Sequence, residues 1–224
     1  MYQKVKLSKR QIKEDKFTAF MLKSKSMVLD NWQFVVIGVV AAALIVTAVV
    51  YYAESRVTRD NEAATKLSRA VLDYRNGNFQ VAIMGFSQII EDFEGEYAAR
   101  QAMFLLGNAN LQIRNYQEAI SHYEKYLLSY KKDKLTRAGS HAGIACCYEN
   151  QGEYLKAAGK YVEAYDEFPN GPLIGDYLIS AMRNYLEVDD TAQARIRLDQ
   201  IRKEFKGTNL TDRATRIFME KKPG

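Results

Sequence analysis

The stretch RNYQEAISHYEKYLLSY, residues 114–130, decides the fold of this chain. It opens on a polar turn, Arg114-Asn115, and then sets Tyr116, Ala119, Tyr123 and Tyr130 on one face of a helix. The small alanine lets a neighbouring helix come close, and the aromatic four residues later fills the next layer of the same face. The frame recurs. Ala82, Ala119, Ala157 and Ala194 stand 37, 38 and 37 residues apart. Three positions before them come Phe79, Tyr116, Tyr154 and Thr191; four after come Phe86, Tyr123, Tyr161 and Leu198. Eleven after come Phe93, Tyr130, Phe168 and Phe205. A polar turn precedes each alanine frame: Asn76-Gly77-Asn78, Arg114-Asn115, Gln151-Gly152-Glu153 and Asp189-Asp190. Self-similarity at such a period is the mark of stacked supersecondary units.

Each unit reads as an antiparallel helix pair. Leu106-Gly107 and Ile144-Ala145 fall on the first helix, a large–small step where the two helices cross. One pair cannot bury its own apolar side, so the pairs must stack into a solenoid. These residues resemble the tetratricopeptide repeat. Gly107, Ala119 and Tyr123 match its Leu-Gly, Ala and aromatic columns. Ala145, Tyr148, Ala157, Tyr161, Ala164 and Pro169 do so in the next unit, with Phe168-Pro169-Asn170 as the closing turn. The likeness runs over about residues 62–206, and a helix at about 209–220 reads as a cap. The chain departs from the pattern in its longer period and in lacking the usual tryptophan, whose slot holds Lys66 in the first unit and Leu178 in the last. The expected fold is all-α: one N-terminal transmembrane helix, then an α-solenoid of about four helix pairs and a C-terminal capping helix.

Upstream of the repeats, residues 31–53 carry no charged side chain, and Phe34 to Tyr52 read FVVIGVVAAALIVTAVVYY. At about 1.5 Å per residue this run spans about 29 Å, close to a hydrocarbon core of about 30 Å. Asp30 or Asn31 is placed to cap the helix. Trp32 and Phe34 at one end and Tyr51 and Tyr52 at the other suit the two interfaces. A cleaved signal sequence fits worse, since the run is long and ends in bulky Tyr51-Tyr52-Ala53-Glu54. The domains expected are therefore a basic segment at 1–30, the span at 31–53 and the solenoid at 54–224.

The net charge of +5 lies entirely in the first segment. Residues 1–30 hold eight Lys/Arg against Glu14, Asp15 and Asp30, and the remainder holds 24 of each sign. Nucleic-acid binding by the solenoid is thus not expected. The basic side of a span stays cytoplasmic, which directs the solenoid outward, into the periplasm of a Gram-negative inner membrane. Within the basic segment, Phe17, Phe20, Met21, Ser24, Met27 and Val28 fall on one helical face, suited to lipid or to a cytoplasmic partner. The arrangement of tail, span and repeats resembles the ancillary Sec translocon subunit family, and the longer repeats resemble outer-membrane assembly lipoproteins and the cell-division coordinator family. That resemblance implies an envelope protein, with a role near protein translocation.

Solenoids act by binding, through a wall built from the first helix of each pair. Projecting the repeat frame puts Tyr74, Arg75, Phe104, Asn108, Leu111, Cys146, Glu149, Asn150, Arg183 and Glu187 near that wall. Asn108 and Asn150 offer amides that grip an extended backbone, and Arg183 offers a fork for a carboxylate. Cys146 and Cys147 are helix neighbours pointing about 100° apart, too divergent to bridge, and read as small core residues. His122 and His141 have no carboxylate or cysteine at ligand spacing in the sequence, so no metal is expected. Phosphate loops and nucleophile elbows are absent. No enzyme activity, cofactor or small-molecule substrate is expected. Protein partners and membrane lipids are, with the chain acting as an adaptor or chaperone-like subunit. The alternative is a permanent structural subunit of an envelope complex.

Overall fold

The computed structural model describes Thr18, Phe20, Met21 and residues 31–221. The described residues form no strand. Helices α1 (Trp32–Arg75) and α2 (Phe79–Asp92) are followed by α3 (Tyr97–Gln112) and α4 (Tyr116–Ser129). Then come α5 (Lys134–Asn150), α6 (Tyr154–Glu167), α7 (Ile174–Glu187), α8 (Thr191–Glu204) and α9 (Asn209–Lys221). Contacts divide the chain into two compact units, Met1–Thr58 and Arg59–Gly224.

In the first unit, α1 carries an exposed apolar run that is long and apolar enough to cross a membrane. Trp32, Phe34, Tyr51 and Tyr52 are all exposed on it. The one threonine in the run is satisfied within the helix, Thr47 Oγ1 donating to the Ala43 carbonyl at 2.8 Å. Such internal pairing is what a spanning helix needs where no water is available. Asn31 supplies a backbone carbonyl to the Phe34 amide at 3.0 Å. The alternative cap, Asp30, lies outside the described residues, as does most of the amphipathic stripe; Phe20 and Met21 are helical and exposed.

In the second unit, the recurring frame marks the ends of every second helix. Each of α2, α4, α6 and α8 begins three residues before its alanine and is C-capped by the aromatic eleven residues after it: Phe93, Tyr130, Phe168 and Phe205. Each first helix closes in the same way. Gly77, Arg114, Gly152 and Asp189 take left-handed backbone, with φ of 80, 60, 78 and 58°. The following residue then donates its amide five residues back. These bonds run from Asn78 to Asp73, Asn115 to Asn110, Glu153 to Tyr148 and Asp190 to Tyr185, each 2.9 Å long. This is the Schellman closure, which satisfies carbonyls left open at a helix end.

Glycine occupies the left-handed position without strain, whereas arginine bears a cost of about 1–2 kcal/mol there. Glycine's larger unfolded freedom offsets part of the difference. Arg114→Gly is therefore expected to raise the unfolding free energy by about 0.5–1 kcal/mol in a urea titration, and Gly152→Ala to lower it by about 1 kcal/mol.

The core lies between the helices of each pair and between neighbouring pairs. All four frame alanines are fully buried, as are Phe86 and Tyr123, with Tyr161 and Leu198 nearly so. Small residues set the approach of α1 to α2: a Cβ on Gly85 would stand 3.0 Å from that of Ala70. Leu178, in the tryptophan slot of the last pair, is fully buried. Lys66 fills the same slot in the first pair by a different device. Its ammonium pairs with Glu62 at 3.2 Å and Asp92 at 3.3 Å and lies 4.9 Å from the centre of the Phe93 ring. First helices α3 and α5 pack on each other as well as on their second helices, whereas second helices meet substantially only first helices and α9. Contact between α3 and α5 marks the first-helix side as the inner side expected of a stack of helix pairs. Helix α9 closes the far end, burying Ala214 and Phe218.

Candidate functional site

The inner wall is made by α3, α5 and α7 after the last turns of α1. At its centre stands Tyr123, reaching from α4 between two glycines of the first helices. A Cβ on Gly107 of α3 would fall 2.7 Å from its ring, and one on Gly143 of α5 would fall 2.4 Å away. Its hydroxyl reaches Asn108 of α3 beneath the surface and donates to Oδ1 at 2.6 Å. Burial pushes that phenol far above its usual range, so it stays a neutral donor. Asn108 is thus held by a buried tyrosine, with its amide carbonyl engaged. Gly143 escaped notice in the sequence because the repeat columns place the small residue at Ala145.

One step along, Glu149 of α5 joins three helices. It accepts from the Tyr161 hydroxyl of α6 at 3.0 Å and pairs with Arg183 of α7 at 2.5 Å. Arg183 therefore carries a resident carboxylate on the wall. Asn150 is exposed at the end of α5, where its Nδ2 donates to the Cys146 carbonyl of its own helix at 2.8 Å. Glu187 is exposed at the end of α7 and pairs with Lys221 of the cap α9. Arg75 is exposed at the end of α1. The apolar residues of the wall are partly buried. Tyr74 meets Phe79 edge-on at 5.5 Å, and Phe104 lies 5.9 Å from Tyr123 and 6.2 Å from Tyr126. Leu111 packs against the cluster of Ala119, Tyr123 and Ile144. The structure thus brings Asn108, Glu149, Asn150 and Arg183 onto α3, α5 and α7 as anchored polar groups, while Tyr74, Phe104 and Leu111 serve packing.

Cys146 and Cys147 are both free, the second fully buried. Burial raises both thiols, Cys147 to about 12, which keeps thiolate scarce at neutral pH.

The histidines need a correction. Spacing in the sequence offers His141 no carboxylate, yet folding lays α6 beside it. Nδ1 stands 3.0 Å from Glu163 Oε2, out of line for a hydrogen bond, and Nε2 stands 3.8 Å from Glu167 Oε2. Arg137 forks onto Glu167 at 2.8 and 2.9 Å and donates to the Leu127 carbonyl at 2.5 Å. Burial lowers His141 below its ordinary value despite these acids, and burial likewise lowers His122. Among the described residues no group of three or more His, Cys, Asp or Glu side chains is arranged to hold a metal.

Residues 67–134 match the family model of the tetratricopeptide repeat. Solved structures agree on the fold. The nearly identical TPR-like repeats of a kinesin-light-chain candidate from Podosopora anserina superpose with a TM-score of 0.57 at 14% identity, over 72% of this chain and 85% of that one. The apo form of RapI gives 0.58 at 16% identity, over 70% of this chain and 58% of that one. A tetratricopeptide repeat protein from Parabacteroides merdae gives 0.59 at 16%, over 71% and 59%. No curated protein matches the chain. The second unit is an α-solenoid of tetratricopeptide type.

Proposed function

We propose that this chain is a membrane-anchored protein-binding adaptor, or chaperone-like subunit, of a bacterial envelope. The observation that carries it is the inner wall, where polar side chains on α3, α5 and α7 are fixed by their neighbours. Asn108 is held by Tyr123, and Arg183 with Glu149 by Tyr161. Fixed polar groups on a curved apolar scaffold suit the backbone and side chains of a partner segment, because little ordering remains to be done on binding. The exposed apolar run of α1 supports anchoring, and the basic residues before it support an N-terminus in the cytoplasm with the solenoid outside. Confinement at a membrane raises the effective concentration of any partner held there. A place beside the protein-translocation machinery is part of this proposal.

A photo-crosslinking residue at Asn150, and separately at Arg183, tests it in living cells. Adducts with exported polypeptides or translocon subunits are expected. One discrete partner at fixed stoichiometry would favour a structural subunit instead, and adducts confined to cytosolic proteins would overturn the outward placement.

A further inference from the structure

A cleft of about 540 Å³ opens where the first turn of α3 meets the turn between α4 and α5. Its volume lies within the range of about 300–1,000 Å³ usual for small-ligand sites. Tyr97, Arg100, Tyr130, Lys131 and Lys132 line it. The guanidinium of Arg100 lies 5.5 Å from the Tyr97 ring centre and 5.9 Å from that of Tyr130, so two aromatic faces hold it in place. Its Nε is buried without a hydrogen-bond partner, and no carboxylate pairs with Arg100 among the described residues.

The acid in the lining is committed elsewhere. Asp133 Oδ2 accepts from the Tyr126 hydroxyl at 2.8 Å, and Oδ1 accepts from the Thr136 amide at 3.1 Å, capping α5. Asp133 lies near enough to feel the charge of Arg100, yet its oxygens are taken by Tyr126 and Thr136. Arg100 is therefore a positioned cation whose donors are not spent on a salt bridge, and such donors bind oxyanions in charge-assisted hydrogen bonds. Lys131 and Lys132, both exposed, add positive charge at the rim. Tyr97 is 65% exposed and presents a flat apolar wall beside them.

We propose that this cleft is a second protein-binding site, separate from the inner wall, and that it takes a carboxylate borne next to an aromatic or aliphatic side chain in an acidic segment of a partner. Charge complementarity selects the carboxylate, and the tyrosine rings select the apolar neighbour. The inference shares with the proposed function only the premise that the chain binds protein, since none of its residues belongs to the inner-wall set.

The full-length chain in detergent micelles would be titrated with a fluorescein-labelled peptide of alternating Glu and Phe, and with the same peptide carrying Gln for Glu. Fluorescence anisotropy is expected to show the Glu peptide binding about tenfold tighter. Arg100→Gln should remove most of that difference. The double variant Lys131→Gln/Lys132→Gln changes exposed rim positions only, so it tests the cleft without disturbing the fold. It should weaken binding and flatten its salt dependence. Equal affinity for the two peptides, or an unchanged Glu-peptide affinity in both variants, would overturn the site. Inorganic phosphate and phosphatidylglycerol vesicles form the other arms. Arg100-dependent binding of either, with no binding of the Glu peptide, would overturn the peptide assignment. Asn150→Ala and Arg183→Ala should leave peptide binding intact, and loss there instead would place the peptide on the inner wall.

Discussion

Tyr123→Ala is expected to lower the unfolding free energy of the solenoid by about 3–5 kcal/mol, the cost of deleting a large buried aromatic side chain. Tyr123 is fully buried, and its ring fills the space that Gly107 and Gly143 leave open. Neither glycine side supplies atoms that could collapse into the cavity, so the cost should fall near the upper end of that range. The defect would also loosen the junction of the second and third pairs, because the ring is shared by α3 and α5. Tyr123→Phe keeps the packing and removes only the bond to Asn108, so it should cost about 1 kcal/mol. Urea titrations of the two variants check this. A small effect for Tyr123→Ala, similar to that of Tyr123→Phe, would show that the ring is not the wedge between the pairs.

Arg137→Leu is expected to cost about 2–3 kcal/mol at neutral pH, and the cost should shrink on acidification. Arg137 and Glu167 are both largely buried, and Arg137 ties the α4 carbonyl of Leu127 to α6 through a two-bond fork. Removing the cation leaves the Glu167 carboxylate half-desolvated beside His141. The Arg137 hydrogen bonds hold Glu167 below its ordinary value of 4.5. A lowered acid contributes stability that is present in full above the unfolded value and lost as pH falls through the folded one. The advantage of wild type over Arg137→Leu should therefore persist above about pH 4.5 and fade below it. His141 adds an acid sensitivity of its own that starts higher. Burial lowers it from 6.5, so the unfolded chain takes up a proton first and stability declines as pH drops below that value. Thermal unfolding of both proteins from neutral to acid pH reads the two windows. A constant difference across them would overturn the ion-pair account.

Much of the solenoid was legible because its information is local. The alanine-and-aromatic frame marked the first residue and the C-cap of each second helix, from Phe79 and Phe93 to Thr191 and Phe205. Polar turns announced the left-handed closures, although Arg114 and Asp189 adopt them without glycine's ease. The candidate site was legible in a coarser sense. Projection found the helices of the inner wall but not which side chains are engaged: Arg183 is already paired with Glu149, and Asn108 is held by Tyr123. The acids beside His141, and the cleft around Arg100, were not readable. Each joins residues from different helices whose spacing in the chain says nothing about their distance.

By itself, then, the amino-acid order determined the helix pairs, the apolar run of α1 and the placement of all net charge in the first thirty residues. These follow from periodicity and composition, which act within a turn or two of helix. Only the tertiary structure decided that Gly143 shares Tyr123 with Gly107, that Glu163 and Glu167 face His141, and that Asp133 turns to Tyr126 and leaves Arg100 outside any salt bridge. Those outcomes depend on how whole helices stack, and stacking is set by the summed fit of many side chains rather than by any one stretch of sequence.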